Sequence, residues 1–314
     1  MSLQETSDRT LFELGKRLQD SGYRFITPTP LTHERVCQRF ASPLAKDLRD
    51  VFGWSMPFAS ELFSADELGK LEQAGIIEQQ GSLWRSNVRW STLNDRLFVH
   101  SAFPTTANDA VFFGPDTYRF ARAIQAQLQQ RFAPIKRAVD IGCGSGAGAV
   151  IIARARRDAE VLAVDINPQA LRMTAVNAEL AGADNVSAYH SDLLASVEGE
   201  FDLIIANPPY MNDQHQRAYR HGGGALGEGL SVRIVREALP RLALGGTLLV
   251  YTGVAIQAGQ DPFLEAIKPL VAGGRYAWTY EELDPDVFGE ELVKPEYALA
   301  ERIAVVVLTV TREQ

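Results

Sequence analysis

Asn207, Pro208, Pro209 and Tyr210 set a carboxamide, two ring-locked backbones and a phenol at the end of the apolar run 201–206. Two prolines fix φ and push the residue before them into extended backbone, so the run ends there and the Asn207 side chain is aimed in one direction. A carboxamide carries both an acceptor and donors. With the neighbouring Pro208 carbonyl, it can accept hydrogen bonds from an amide or an exocyclic amine. Tyr210 can stack on the plane of that group. The quartet therefore suits the gripping of a flat NH2-bearing group.

A second constellation lies upstream. Residues 137–141 read as a short buried strand running into Gly142-Cys143-Gly144-Ser145-Gly146-Ala147-Gly148, with a helix expected over 149–156. Glycines permit the tight strand-to-helix turn and let a ligand approach the backbone, while the helix start offers free N–H groups to an anionic moiety. Gly142, Gly144 and Ala147 also satisfy the dinucleotide pattern, so the loop alone leaves the cofactor open. A second apolar strand, 161–164, ends at Asp165, roughly 20 residues beyond the glycines, where a carboxylate can accept both ribose hydroxyls. That residue suits a nicotinamide dinucleotide and S-adenosylmethionine equally.

Asp140 before the loop, Ser191-Asp192-Leu193 after the next strand and the proline turn after the fourth favour S-adenosylmethionine. Here the chain resembles the class I S-adenosylmethionine-dependent methyltransferases, in the branch with an Asn-Pro-Pro-Tyr motif whose members methylate planar nitrogens. The likeness covers about two thirds of the chain. The run Val111-Phe112-Phe113-Gly114-Pro115-Asp116-Thr117 is similar to the segment before the first strand in release-factor glutamine methyltransferases, and Tyr219-Arg220-His221-Gly222-Gly223-Gly224 to the glycine-rich loop that follows their motif. The resemblance implies that Gly142, Gly144 and Gly146 line the methionine part of the cofactor, with Asp140 near its ammonium. It implies Asp165 on the ribose, Ile166 against the adenine, Asp192 on the adenine amino group and Leu193 on its face. Asn207, Pro208, Pro209 and Tyr210 would hold the acceptor. Before residue 106 the match to the release-factor enzymes lapses.

Plainer roles compete for several of these positions. Asp140 can cap the loop, although a carboxylate at the end of a buried strand needs a partner. Asp192 can be an ordinary turn residue. His215 and His221 flank a glycine-rich loop without nearby Cys or a carboxylate pattern, so solvated histidines are expected there and no metal site. Cys143 reads as a small packing residue, and Asp116 or Thr117 as a cap for a helix over 118–132, a role compatible with lining the active site. Tyr297 could reach the acceptor pocket, but nothing local favours that over a surface position.

The elements that must position these groups alternate. Strands are expected at 137–141, 161–165, 186–190, 202–206 and 246–252, with helices between them, which predicts a parallel sheet wrapped on both faces. Strands at 276–281 and 303–310 complete a seven-stranded, mostly parallel sheet, and the resemblance implies that the last is inserted antiparallel. Asp140, Asp165, Asp192 and Asn207 all fall at strand ends, where ligands collect in such sheets. The fold class is thus α/β and Rossmann-like, preceded by a smaller, mainly helical unit. Helices at 9–21, 45–52 and 65–74, then strands at 76–77, 83–85 and 97–99 about a turn at 79–82, give that unit a winged-helix outline. Residues 103–110 read as the linker, so the domains are 1–105 for substrate recognition and 106–314 for methyl transfer.

Composition narrows the class. With 314 residues, 46% of them hydrophobic, the chain can bury a sizeable core. No apolar stretch is long enough to cross a bilayer and the first residues lack the pattern of a signal peptide, so a cytoplasmic protein is expected. Two distant cysteines make no disulfide framework. The net charge of −8 argues against a generally nucleic-acid-seeking surface. The first 104 residues hold 12 basic and 13 acidic side chains and the rest 19 and 26, so the acidity sits with the cofactor unit. In the front unit Arg85, Arg89 and Arg96 could form a patch for RNA or an acidic protein.

These readings converge on an N-methyltransferase acting on a planar NH2, first a glutamine amide of a release factor or ribosomal protein. Ribosomal RNA with an exocyclic base amine is the alternative acceptor. A nicotinamide-dependent oxidoreductase and a non-catalytic cofactor-binding scaffold stand behind both.

Overall fold

The computed structural model describes residues 6–131, 133–212, 220–224 and 226–313. The chain begins with α1 (Thr6–Asp20), α2 (Pro30–Cys37), α3 (Leu48–Phe52) and α4 (Ala65–Gln73), followed by two hairpins, β1 (Ile77–Gln80) with β2 (Leu83–Ser86) and β3 (Val88–Leu93) with β4 (Arg96–Ser101). Sequence periodicity misses α2 and β3. Thr29 caps α2 by accepting from Thr32 N–H, and Pro30 sits at its first position, where a missing N–H costs nothing. The β3–β4 hairpin turns on Asn94 and Asp95, both at positive φ, a conformation their short polar side chains tolerate. α3 starts later than expected because the Asp47 carboxylate accepts from Asp50 N–H and ends the preceding coil.

From residue 115 the alternation follows the expected order. It runs α5 (Pro115–Gln130), β5 (Arg137–Ile141), α6 (Ala147–Ala155), β6 (Glu160–Asp165), α7 (Pro168–Leu180), β7 (Val186–His190), β8 (Phe201–Ala206), α8 (Gly229–Ala238), β9 (Leu242–Ile256), α9 (Pro262–Val271), β10 (Tyr276–Asp284) and β11 (Arg302–Arg312). The sheet order is β10-β11-β9-β8-β5-β6-β7. β5 through β9 are mutually parallel, and β11 lies antiparallel between β9 and β10. This is the seven-stranded, mostly parallel Rossmann-like sheet that the sequence predicts. β9 outruns its expected bounds because β11 pairs with it from Thr247 to Ile256.

Side chains on β8 alternate between two cores. Leu203 and Ile205 face one, Ile204 and Ala206 the other, so both faces of the central sheet are buried. A third core lies under the N-terminal elements. There Leu11, Leu14 and Leu18 of α1 and Trp90 of β3 pack on Met173, Val176 and Leu180 of α7. Asn177 of α7 ties the layers together, accepting from Val99 N–H and donating to the carbonyls of Val99 and Ser145. The helix that follows the second parallel strand is thus also the seat of the front unit.

Arg89 does not join a surface patch. It is 4% exposed, donates to His33 Nδ1 at 2.9 Å and lies over the rings of Phe25 and Phe103. Burial, with Arg89 beside it, holds His33 down at about 4, so a neutral ring accepts from the guanidinium.

Candidate active site

The carboxyl ends of β5, β6 and β8 open into one cavity of about 240 Å³, which Asp140, Asp165, Asp192 and Asn207 all line. Parallel pairing brings them there. Asp140 lies opposite Ala163 and Ile205 in neighbouring strands, Asp165 ends β6, and Asn207 follows the last residue of β8. Gly142, Gly144, Ile166, Leu193, Pro208, Pro209 and Tyr210 border the same space. Gly146 is set back as the N-cap of α6, and a Cβ there would meet Thr174 at 2.7 Å.

Gly142 and Gly144 both have positive φ, and a Cβ added to either would meet nothing within 4 Å. The loop therefore presents bare backbone to the cavity, the surface on which a ligand can lie close. Asp165 braces it, accepting from Gly144 N–H at 3.0 Å and from Asn167 N–H at 2.9 Å. A carboxylate offers about four acceptor positions, so these bonds leave room for a ribose hydroxyl. Ile166, apolar yet 53% exposed, stands beside it as a flat platform.

Asp140 is buried and accepts from Ala149 N–H at 2.9 Å in the first turn of α6. Burial lifts its carboxyl to about 7, the Ala149 bond opposes this, and the nearby Asp165 charge adds to it. The capping role and a place on the cavity wall coexist in this residue. Asp192 is engaged by Arg233 through two bonds, at 3.0 and 2.9 Å, on the exposed rim. Cys143 is buried, and burial raises its thiol well above the usual range, so it is a packing group beside Thr174.

The opposite wall contains groups that local sequence did not reveal. Tyr210 is not a free lid, since it is 7% exposed and its hydroxyl donates inward to Asp116 Oδ2 at 2.5 Å. Asp116, itself 4% exposed, also accepts from Tyr251 of β9 at 2.8 Å. It lines the cavity and does not cap α5. The Gly114 N–H donates to Thr117 Oγ1 instead. α5 begins at Pro115, earlier than expected, while Phe132 lies outside the described residues.

Tyr297 is buried at 1% exposure and not on the surface as its place in a late insertion suggests. Its hydroxyl accepts from Asn212 N–H at 2.7 Å, just beyond the Asn-Pro-Pro-Tyr corner. Arg220, on the cavity wall, reaches Glu291 at 2.5 Å, and Phe288 meets Tyr210 edge-on at 6.0 Å between ring centroids. The segment between β10 and β11 thus forms the outer wall. The sequence signal for it is an aromatic pair, Phe288 and Tyr297, inside an insertion that mixes charged and apolar residues. His215 and Tyr219 lie outside the described residues. Among the described residues no group of three or more His, Cys, Asp or Glu is placed to hold a metal, and no helix is long and apolar enough to cross a membrane.

Residues 120–260 match the family described as "Methyltransferase small domain". Among curated proteins, the release factor glutamine methyltransferase of Deinococcus radiodurans is 34% identical over 165 residues, 49% of this chain and 55% of that protein. The ribosomal protein uL3 glutamine methyltransferase of Neisseria gonorrhoeae is 32% identical over 130 residues, 38% of this chain and 44% of the relative. The chain therefore spans about half the length of the curated relatives it matches. Among solved structures, Trm5b from Pyrococcus abyssi superposes with a TM-score of 0.50 at 17% identity, over 75% of this chain and 62% of that one, a likeness of fold.

Proposed function

We propose, from the match of residues 120–260 to the methyltransferase small domain, that the chain transfers a methyl group from S-adenosylmethionine to a planar NH2, first the glutamine amide of a release factor or ribosomal protein. One observation carries the reading: the glycine loop with Asp165 and the Asn207 corner face the same cavity. The donor set fits the cofactor. Open backbone at Gly142 and Gly144 suits its methionine part, the room left on the Asp165 carboxylate its ribose, and exposed Ile166 with Leu193 its adenine. Asp140 would face its ammonium and Asp192, held by Arg233, its amino group.

When bound, the cofactor supplies a methyl on a positively charged sulfur and leaves as the neutral thioether as the N–C bond forms. The protein's task is orientation. Asn207 Oδ1 and the Pro208 carbonyl accept from the two N–H groups of the amide, which aims the nitrogen at the methyl and concentrates electron density on it. The methylated nitrogen is at first a protonated amide, acidic enough to give its surplus proton to water directly, so no strong base is needed. Orientation of this kind can supply up to ~7–11 kcal/mol of barrier lowering. The first 105 residues, seated on α7, would form the recognition unit and residues 106–314 the transfer unit, working in the cytoplasm.

The test is Asn207→Ala with radiolabelled cofactor and a bacterial release factor. Transfer should vanish while calorimetry still detects cofactor binding. Lost binding with an intact fold would contradict the assignment, and label that resists protease but not RNase would move the acceptor to RNA. Binding of NAD in place of S-adenosylmethionine would restore the oxidoreductase reading.

A further inference from the structure

Tyr210 closes the Asn-Pro-Pro-Tyr corner, and its hydroxyl is engaged by a protein carboxylate. It donates to Asp116 Oδ2, while Asp116 Oδ1 accepts from Tyr251 and lies 3.3 Å from Arg119. Arg119 pairs in turn with Asp284 of β10 at 2.8 Å. One buried carboxylate therefore joins α5, the corner, β9 and, through Arg119, β10. Two residues beyond Tyr251, and so on the same face of β9, Gly253 leaves the hollow that the Tyr210 ring fills. A Cβ there would lie 2.3 Å from that ring. Phe288 meets another side of it. A ring fixed at its hydroxyl, on one face and at its edge cannot swing.

Asp116 and Tyr210 both border the cavity beside Asn207. Resting on the reading of this cavity as a methyl-transfer site, we propose that Asp116 is a positioning residue: by holding Tyr210 it sets the plane in which the acceptor lies, and with it the line between nitrogen and methyl. A carboxylate suits this task because both of its oxygens accept. An amide of the same shape offers one accepting oxygen and an NH2 that only donates, so one phenol would have to turn. Burial raises the Asp116 pKa, and the two phenols and Arg119 oppose that rise, as expected of a group whose charged form is held by donors.

The test compares Asp116→Asn, Tyr210→Phe and the double variant in the full chain, with S-adenosylmethionine and a bacterial release factor as acceptor. Each single change should lower kcat between about tenfold and about 100-fold, the cost of a displacement near 1 Å, and leave cofactor Kd within about threefold. The double variant should fall no further than the worse single one, since both break the same bond. Tyr210→Phe removes a single oxygen and keeps the test alive if the Asp116 variant does not fold. Wild-type kcat in a folded Tyr210→Phe overturns the proposal, as does a loss confined to KM or to the melting temperature. Absence of transfer by the wild-type chain to the release factor and to ribosomal RNA overturns the underlying reading as well. Wild-type transfer with unaffected variants removes only the role of Asp116.

Discussion

The two halves of the cavity are built from different materials. On the side of β5 and β6 the wall is backbone, with open glycines and an aspartate that braces the loop through N–H groups. On the side of β8 and β9 it is side chain, with an aromatic ring clasped by a carboxylate from α5. A backbone wall needs only a short stretch of sequence to specify it, because a turn is a local object. A side-chain wall needs partners from several elements, here residues 116, 210, 251, 253 and 288, and tolerates little change in any of them.

That contrast can be broken by single substitutions. Gly253→Ala puts a methyl into the Tyr210 ring without approaching the glycine loop, so kcat should fall about 100-fold while cofactor Kd changes by less than about threefold. Equal damage to both constants, seen in transfer assays and calorimetry, would mean that the halves are not separable. Gly144→Ala is the mirror experiment. Its methyl meets no protein atom but forces an L residue into the left-handed region at a cost of about 1–2 kcal/mol, and should weaken cofactor binding about tenfold with kcat nearly kept.

The third test sharpens the comparison through pH. Asp140 has a folded pKa of about 7, above its usual value, so the stability it lends is complete below the unfolded pKa of about 3.9 and is lost as pH rises through about 7. Asp140→Asn keeps an oxygen for Ala149 N–H and removes the buried charge. Its melting temperature should exceed that of the wild type most at pH 8, with the advantage shrinking toward pH 4. An advantage that does not vary with pH would show that the carboxyl is not the titrating group.

The same division explains what could be read in advance. Asp140, Asp165 and Asn207 were legible as cavity residues because each stands at a strand end, and Gly142 and Gly144 because they form the turn that follows one; parallel pairing carries these ends to one rim. Asp116 could be seen as a helix-start residue with room to line the site as well, but nothing local shows that Tyr210 and Tyr251, 94 and 135 positions away, donate to it. Tyr297 misled for a similar reason. An aromatic in an insertion with no strand or helix periodicity resembles a surface residue until the insertion folds back against Asn212. Arg89 looked like one of three surface arginines, but the aromatic rings and neutral His33 that enclose it come from segments far from it in sequence. In the front unit β3 escaped notice because all six of its residues are buried, which erases the alternation by which a half-exposed strand is recognised.

The place of β11 has a consequence for the order of events during synthesis. β10 is the edge strand and pairs in the sheet with β11, which is made later yet lies inside it. While residues 302–312 are still in the ribosomal tunnel, β9 carries a bare edge, and Asp284 has no sheet to hold it beside Arg119. The nascent chain can therefore form its glycine loop before β9 and β10 are joined into one sheet through β11.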